Sequence, residues 1–282
     1  MNHQESNHLV NLAVEITDLS FYYDSPDGHR VKALDNINLS LQAGKKIAFL
    51  GANGSGKTTL FYHFNGLLLP QHGNIKVLDV EVSKKTRKEL IKKVGIVFES
   101  PDNQLFSTTV YDDVAFALRN YGLKEDEIKT KVKSLLKKVQ AEDLADKSPY
   151  NLSWGQKKRA SIAATLAIGP ELLVFDEPFS GLDPQVSKYL LTLLDQLYGE
   201  GKTLIIGTHN VDLAYIWADE VVILSQGEVV NHEQVDILTD QDLMDKVSLD
   251  TPTLAKVFKD TSHSPKTVEE ARSIIKNMLG VL

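Results

Sequence analysis

The sequence predicts an α/β fold in which helices cover both faces of a mostly parallel β-sheet. Short, nearly continuous apolar runs recur along the chain, and such runs are typical of strands buried on both faces. Longer segments with helical periodicity lie between them, and this alternation favours parallel strands joined by crossover helices. The chain has 282 residues, of which 42% are hydrophobic. It is therefore long enough to bury one large core and to carry an appended segment.

Two kinds of strand are predicted. Segments 13–23 and 33–41 alternate apolar and polar residues, which indicates an antiparallel pair. The parallel sheet is predicted from shorter apolar runs at 45–51, 94–99, 171–177, 203–209 and 220–227. The main helical patterns lie at 58–68, 125–139, 155–167 and 185–199.

Two further regions have a helical character. The interval of about 101–170 contains no convincing strand and is interpreted as a helical insertion in the α/β core. Residues 233–282 are predicted to form a C-terminal extension of short helices at 239–247, 252–259 and 265–279. In the last helix one face carries Val268, Ala271, Ile275, Met278 and Leu279. This face either packs on its own domain or contacts a second copy of the chain.

Composition excludes several classes of function. Lys and Arg number 31 and Asp and Glu 38, so the net charge of −7 argues against nucleic acid as a partner. The chain has no cysteine, which excludes disulfides, thiolate metal sites and a cysteine nucleophile. The sequence shows neither a membrane span nor a secretory signal, so we expect a cytoplasmic protein whose membrane contact would come through a partner. The basic run at 84–93 is interpreted as a solvated helix face, with a surface for a partner as the alternative.

A phosphate-binding loop follows the predicted strand at 45–51. Residues Gly51 to Thr58 read GANGSGKT and satisfy G-x-x-x-x-G-K-[ST]. The glycines let backbone N–H groups surround phosphate oxygens, and the following helix directs its N-terminus at them. Lys57 adds a positive charge for the β- and γ-phosphates, and the Thr58 hydroxyl is a suitable Mg²⁺ ligand. The motif, between a strand and a helix, predicts ATP or GTP binding.

An acidic strand end supplies the second element of a nucleotide site. The run LLVFDE places Asp176 and Glu177 at the end of the strand predicted at 171–177. At the carboxyl edge of a parallel sheet, Asp176 would face the ligand crevice and hold Mg²⁺. Glu177 could orient and deprotonate the attacking water.

Three further motifs narrow the class of protein. The sequence LSWGQ occupies 152–156, SGLDP occupies 180–184, and the strand TLIIGTH ends at His209. With these motifs in this order, residues 12–232 resemble the ATP-binding subunits of ABC transporters. The resemblance implies an ABC ATPase with a phosphate-loop core, an antiparallel β subdomain, a helical subdomain at about 101–170 that bears the signature LSWGQ, and the C-terminal helical extension.

The resemblance also implies residue roles. Tyr23 would stack on adenine, although a tyrosine in a strand is otherwise most often a core residue. Catalytic roles would belong to Lys57, Glu177 and His209, and Mg²⁺ would be held by Thr58, Glu99 and Asp176. Family members pair head to tail around two ATP molecules, so the signature of one chain would meet the nucleotide of the other. ATP contacts are expected from Tyr23, Gly51, Asn53, Gly54, Ser55, Gly56, Lys57, Thr58, Thr59, Ser153, Gly155, Gln156 and Asp183.

The chain departs from the family pattern at two positions. Trp154 replaces the usual glycine of the signature and adds bulk beside the opposing nucleotide. Glu99 occupies the position at which the family has a glutamine that offers a neutral oxygen to Mg²⁺. A carboxylate there brings negative charge near the γ-phosphate, and we expect it to alter hydrolysis or Mg²⁺ dependence.

Residues 101–123, PDNQLFSTTVYDDVAFALRNYGL, resemble the energy-coupling-factor and cobalt/nickel (CbiO-like) subgroup. The resemblance implies an ATP-hydrolysing importer subunit on the cytoplasmic face of the cell membrane, driving uptake of cobalt or nickel through integral membrane subunits. Its ATPase partner would be a second copy or a different chain, and residues 233–282 would help the pair to form. Alternatives are a vitamin importer of the same type, a non-transport ABC ATPase and a regulatory protein that binds ATP without turnover.

Overall fold

The computed structural model describes residues 11–26 and 28–279. The first ten residues, in which the sequence predicts no secretory signal, and the last three residues of the predicted extension lie outside the described residues. The described chain forms strands β1 (Leu12–Asp24), β2 (Arg30–Gln42), β3 (Lys46–Leu50), β4 (His72–Val77), β5 (Val80–Glu81), β6 (Val94–Val97), β7 (Leu172–Asp176), β8 (Thr203–Thr208), β9 (Glu220–Ser225) and β10 (Glu228–Gln234).

Helices lie between many of these strands and after β10. They are α1 (Lys57–Phe64), α2 (Arg87–Lys93), α3 (Val110–Asn120), α4 (Glu125–Lys138), α5 (Trp154–Leu166), α6 (Pro184–Gly199), α7 (Val211–Trp217), α8 (Gln241–Lys246), α9 (Thr253–Val257) and α10 (Val268–Leu279). Short 3-10 turns lie at Pro101–Asn103, Glu142–Leu144, Pro149–Asn151 and Val235–Thr239.

The larger sheet has the order β10-β9-β3-β8-β7-β6. Strands β9, β3, β8, β7 and β6 are parallel, and only β10 runs antiparallel to its neighbour in this sheet. Side chains alternate between its faces, so Ile47 and Phe49 enter one hydrophobic core while Ala48 and Leu50 enter the other. Cores on both faces explain why the strands read as continuous apolar runs, and the predicted α/β fold with a parallel sheet is confirmed.

A smaller sheet of order β2-β1-β4-β5 lies at the N-terminal side of the fold. Strands β1 and β2 pair antiparallel, as the alternation predicted, and Tyr23 of β1 lies opposite Val31 of β2. This hairpin packs on the same core as α1, which brings the end of β1 close to the loop before that helix.

The interval 101–170 is helical in the structure, as predicted, and carries α3, α4 and α5. Helix α5 begins with a capping box, in which Ser153 Oγ accepts from the N–H of Gln156 and Gln156 Oε1 accepts from the N–H of Ser153. This cap fixes the orientation of the LSWGQ segment at the start of the helix.

The region after β10 is also helical. Helix α10 begins where Thr267 Oγ1 accepts from the N–H of Glu270, whereas the Glu270 carboxylate accepts from the N–H of Lys266. Of the two hydrogen bonds of a capping box, Thr267 and Glu270 therefore form one. Of the predicted apolar face, Ala271 is buried, and the other members, Val268, Ile275, Met278 and Leu279, are exposed. Within the described residues, no helix combines the length and the apolar character needed to cross a bilayer.

Candidate functional site

The site lies at the carboxyl edge of the parallel sheet, where several strands end side by side. The phosphate-binding loop follows β3, Asp176 closes β7, His209 follows β8, and Glu99 comes two residues after β6. Loops at the carboxyl ends of parallel strands form the crevice in which α/β proteins bind ligands. Adjacent strands therefore bring together residues that are as much as 158 positions apart in sequence (from Gly51 to His209).

The phosphate-binding loop is shaped by its glycines. Gly56 has φ +106°, and a Cβ atom there would lie 2.8 Å from the carbonyl oxygen of Ala33. Any other residue would meet both backbone strain and a steric clash, so the loop needs glycine at this position. The next residue starts α1, whose first N–H groups are oriented toward the loop and form a site for an anion.

Lys57 is folded back against this loop. Its ammonium group donates to the carbonyl oxygen of Gly51 at 2.6 Å and lies 3.9 Å from Oε1 of Glu177. Burial lowers the pKa of Lys57, and the negative charges of Glu177, Asp176 and Glu99 act in the opposite direction. An anionic phosphate would supply this buried cation with a stronger partner than the carbonyl oxygens do.

Thr58 and Asp176 meet directly. The Thr58 hydroxyl donates to Oδ2 of Asp176 at 2.5 Å. Burial raises the pKa of Asp176, and the hydrogen bond from Thr58 opposes that rise. A carboxylate that is buried in this way, beside a hydroxyl, is well suited to a small hard cation.

Glu177 has an unusual backbone conformation. It has φ +40°, although it is not a glycine, and its N–H donates to the carbonyl oxygen of Gly207 at 2.9 Å. Such conformations carry a cost and occur often at functional sites. The side chain is largely buried, and its Oε1 lies 3.1 Å from Nδ1 of His209, so the histidine can orient the carboxylate.

One cavity of about 390 Å³ is lined by Lys57, Thr58, Asp176 and Glu177, whereas Gly51 and His209 are not among its lining residues. Tyr23 lies at its rim, and its hydroxyl is 3.3 Å from Oγ1 of Thr59. The tyrosine side chain is 42% exposed, so the structure does not support its alternative interpretation as a core residue. The lining consists of Tyr23, Val31, Lys32, Ala33, Asn53, Gly54, Ser55, Gly56, Lys57, Thr58, Thr59, Glu99, Asp176 and Glu177.

Other predicted residues do not line this cavity. Ser153 and Asp183 are exposed at the starts of α5 and α6, where each caps its helix. Gly155 and Gln156 lie in the first turn of α5. The structure therefore places the predicted signature contacts outside the cavity that contains the same chain's phosphate-binding loop.

The sequence interpretation missed one buried residue next to the site. Lys158 is 1% exposed, and its ammonium group donates to the carbonyl oxygens of Phe98 at 3.0 Å and Glu99 at 2.6 Å. Burial lowers its pKa to about 8. A signal was present, because Lys158 lies four residues before the buried Ile162 and therefore on the inner face of α5.

The chain resembles known proteins over most of its length. A model of the ABC transporter family matches residues 34–180. The energy-coupling factor transporter ATP-binding protein EcfA of Carboxydothermus hydrogenoformans is 42% identical over 273 residues, which cover 96% of this chain and 100% of that protein. EcfA of Methanosphaera stadtmanae is 42% identical over 262 residues, which cover 88% of this chain and 93% of that protein.

Comparison with solved structures also finds components of ABC transporters. CbiO1 of Clostridium perfringens, described as part of the ABC transporter complex cbiONQ, aligns with a TM-score of 0.72 and 38% identity, covering 88% of this chain and 98% of that chain. A dimeric ATP-binding cassette in a post-hydrolysis state, bound to ADP and Pi, aligns with a TM-score of 0.72 and 27% identity. The alignment covers 79% of this chain and 98% of that chain. The chain therefore belongs to the ABC transporter family, among the ATP-binding proteins of energy-coupling factor transporters, and is an ATPase.

Proposed function

We propose that this ATPase drives the uptake of a transition-metal ion, cobalt or nickel, through separate membrane subunits. The observation that carries the catalytic part is the single cavity that holds the phosphate-binding loop, Asp176 and Glu177. The metal substrate is supported by the resemblance of residues 101–123 to the cobalt/nickel subgroup and by the similarity to CbiO1.

ATP would bind with its phosphates in the loop Gly51–Thr58. Backbone N–H groups of the loop and of the first turn of α1 would surround the phosphate oxygens. Lys57 would exchange its carbonyl partners for the β- and γ-phosphates, a step that gives the buried ammonium group an ionic partner. Tyr23, exposed at the cavity rim, would stack on the adenine ring.

Thr58, Asp176 and Glu99 would hold Mg²⁺. All three line the cavity and offer hard oxygen ligands, and a cation beside Asp176 would offset the cost of burying its charge. When bound, Mg²⁺ neutralises negative charge that develops on the transferring phosphoryl group.

Glu177 would act as the general base toward the attacking water. Its Oε1 lies 3.9 Å from Nζ of Lys57 and 3.1 Å from Nδ1 of His209, and these two side chains would orient the carboxylate. His209 would maintain this orientation and contact the γ-phosphate.

A head-to-tail dimer would complete each site. Ser153, Gly155, Gln156 and Asp183 lie outside the cavity of their own chain, which supports a role at the nucleotide of a partner. The exposed apolar residues of α10 are available for a contact that helps the pair to form. The partner would be a second copy, or a different ATPase chain, and the pair would bind peripherally to membrane subunits at the cytoplasmic face.

The direct experiment is transport in vesicles. The chain is co-purified with the membrane proteins that bind it, the complex is reconstituted with ATP on the cytoplasmic side, and uptake of radioactive cobalt and nickel is measured. We expect ATP-dependent uptake that is lost in the Glu177→Gln complex. Uptake of a radiolabelled B vitamin without metal uptake would instead favour a vitamin importer. Absence of any co-purifying membrane protein would contradict a transport function.

A further inference from the structure

Trp154, the residue that replaces the signature glycine, makes a specific contact within its own chain. Its indole Nε1–H donates to the carbonyl oxygen of Ser180 at 2.9 Å. Ser180 begins the SGLDP segment, 26 positions further along the chain. The side chain is therefore directed toward the loop before α6, where its polar group has a defined partner.

The loop before α6 has a glycine, Gly181, where it contacts the indole of Trp154. Gly181 has φ +71°, and a Cβ atom at this position would lie 3.1 Å from the Trp154 Nε1 atom. A side chain at 181 would therefore be strained and would press against the ring. The next residue of α5, Gly155, lies near Val186 of α6, where a Cβ atom would be 3.5 Å from the valine methyl groups. The start of α5 therefore lies beside the loop before α6, and the indole contacts that loop.

A second hydrogen bond connects Ser180 to Glu177, the proposed catalytic base. The N–H of Ser180 donates to the carbonyl oxygen of Glu177 at 3.1 Å. Trp154 and Glu177 are therefore joined through a single residue, Ser180, which is hydrogen-bonded to both. A shift of the LSWGQ segment that keeps the indole hydrogen bond must also move the loop that follows Glu177.

We propose that Trp154 is a positioning residue that holds the LSWGQ segment and the 178–183 loop of one chain in a fixed relative arrangement. The proposal rests on the head-to-tail dimer proposed above. In that dimer the LSWGQ segment acts at the nucleotide of the partner, whereas Glu177 acts at the nucleotide of its own chain. Trp154 then links the two nucleotide sites through contacts inside each subunit.

Glycine at position 154 could not make this link. It has no donor to reach the Ser180 carbonyl oxygen, and the LSWGQ segment would be held to the loop by fewer contacts. The indole supplies one hydrogen bond and the packing of a large ring, which together restrict the relative motion of the two segments.

The test compares Trp154→Phe, which keeps a ring and removes the N–H donor, with Trp217→Phe as the matched control. Trp217 is buried, and its indole nitrogen has no hydrogen-bond partner within the described residues, so this control removes the same atoms without cutting such a contact. Gly181→Ala is a second variant that disturbs the contact from the loop side.

Three quantities are measured on the full-length chain: amide hydrogen exchange of peptides covering 178–186, steady-state ATPase activity, and the Kd of mant-ATP. We expect Trp154→Phe and Gly181→Ala to speed exchange in this segment and to lower kcat by about fivefold each, the effect of one lost hydrogen bond. The Kd of mant-ATP should stay within twofold of the parent value, because the indole is directed at Ser180 of its own chain and does not line that chain's nucleotide cavity. Trp217→Phe should leave exchange in 178–186 unchanged.

If Trp154→Phe leaves amide hydrogen exchange in 178–186 unchanged, the proposed link is overturned. If exchange becomes faster but kcat does not change, the positioning role of Trp154 is overturned. A parent chain that hydrolyses no ATP, even with its membrane partners, would instead contradict the proposed function. In that case the exchange data still decide whether the link exists.

Discussion

Lys158 donates a hydrogen bond to the backbone carbonyl oxygen of Glu99 at 2.6 Å, and both groups lie next to the proposed nucleotide cavity. Lys158 belongs to α5, whose first turn carries the LSWGQ segment, whereas Glu99 follows strand β6. Helix α5 is therefore hydrogen-bonded to the segment that places a carboxylate in the cavity.

Replacing Lys158 with methionine should lower kcat by about tenfold or more. The variant keeps the length of the side chain but leaves the carbonyl oxygens of Phe98 and Glu99 without their donor, so the Glu99 segment is expected to shift. Binding of mant-ATP should change little, because the phosphate-binding loop is untouched. Lys133→Met, at an exposed position of α4, is the control, and a kcat for Lys158→Met equal to that of the parent would remove the positioning role.

Glu99→Gln should change the Mg²⁺ dependence of ATP hydrolysis. A neutral amide loses one negative charge from the proposed ligand set, so the Mg²⁺ concentration for half-maximal activity should rise by about fivefold. The same variant reduces repulsion of the γ-phosphate, and the rate at saturating Mg²⁺ should not fall. Exposed Glu142 outside the cavity provides the control Glu142→Gln. Superimposable Mg²⁺ curves for Glu99→Gln and the parent would exclude a role of this carboxylate.

Tyr23→Ala should weaken ATP binding without unfolding the chain. Loss of a stacking ring is expected to raise the Kd of mant-ATP by roughly 5- to 30-fold, whereas Tyr23→Phe should bind like the parent. The midpoint of urea unfolding should move little, since the side chain is exposed at the end of β1. A large stability loss with unchanged affinity would instead identify Tyr23 as a structural residue.

His63 should make the fold sensitive to acid. Its ring is fully buried in α1, and burial lowers its pKa while the carbonyl oxygens of Thr59 and Leu69 oppose this effect. The unfolded chain therefore takes up a proton near pH 6.5 before the folded chain does, so stability is complete above this pH and declines as pH falls below it.

The measurement for His63 is urea unfolding between pH 5 and pH 8. His63→Asn retains an N–H donor that can reach the Thr59 carbonyl oxygen, 2.7 Å from His63 Nδ1 in the parent, but does not titrate. The free energy of unfolding of the parent should fall more steeply below pH 6.5 than that of the variant. Parallel curves would show that His63 does not contribute.

Local hydrophobic patterns in the sequence predicted the strands and helices that have a clear apolar run or periodicity. The segments that form β3, β6, β7, β8 and β9 are apolar because a hydrophobic core covers each face of the sheet. Strands β4 and β10 were not predicted, since β4 has only Ile75 and Val77 buried and β10 has no fully buried residue. Helices α3 and α7 were not assigned individually either, and α7 has only seven residues.

The motifs named several residues that the structure brings together, but they did not show which side chains contact each other. Asp176 and Thr58 were both named from motifs, and their contact follows from the neighbouring positions of β3, β8 and β7 in the sheet. Trp154 was recognised only as a bulky departure from a family pattern. Its hydrogen bond to Ser180 depends on the tertiary structure that places the start of α5 beside the loop before α6, which no local pattern encodes.

The central claim is that ATP is hydrolysed in the 390 Å³ cavity with Glu177 as the base. The most direct measurement is the steady-state ATPase rate of the parent and of Glu177→Gln, each assembled with the membrane proteins that co-purify with it. Loss of a general base predicts a rate at least about 100-fold lower for the variant, with mant-ATP binding retained. A parent rate no higher than that of Glu177→Gln would contradict the account.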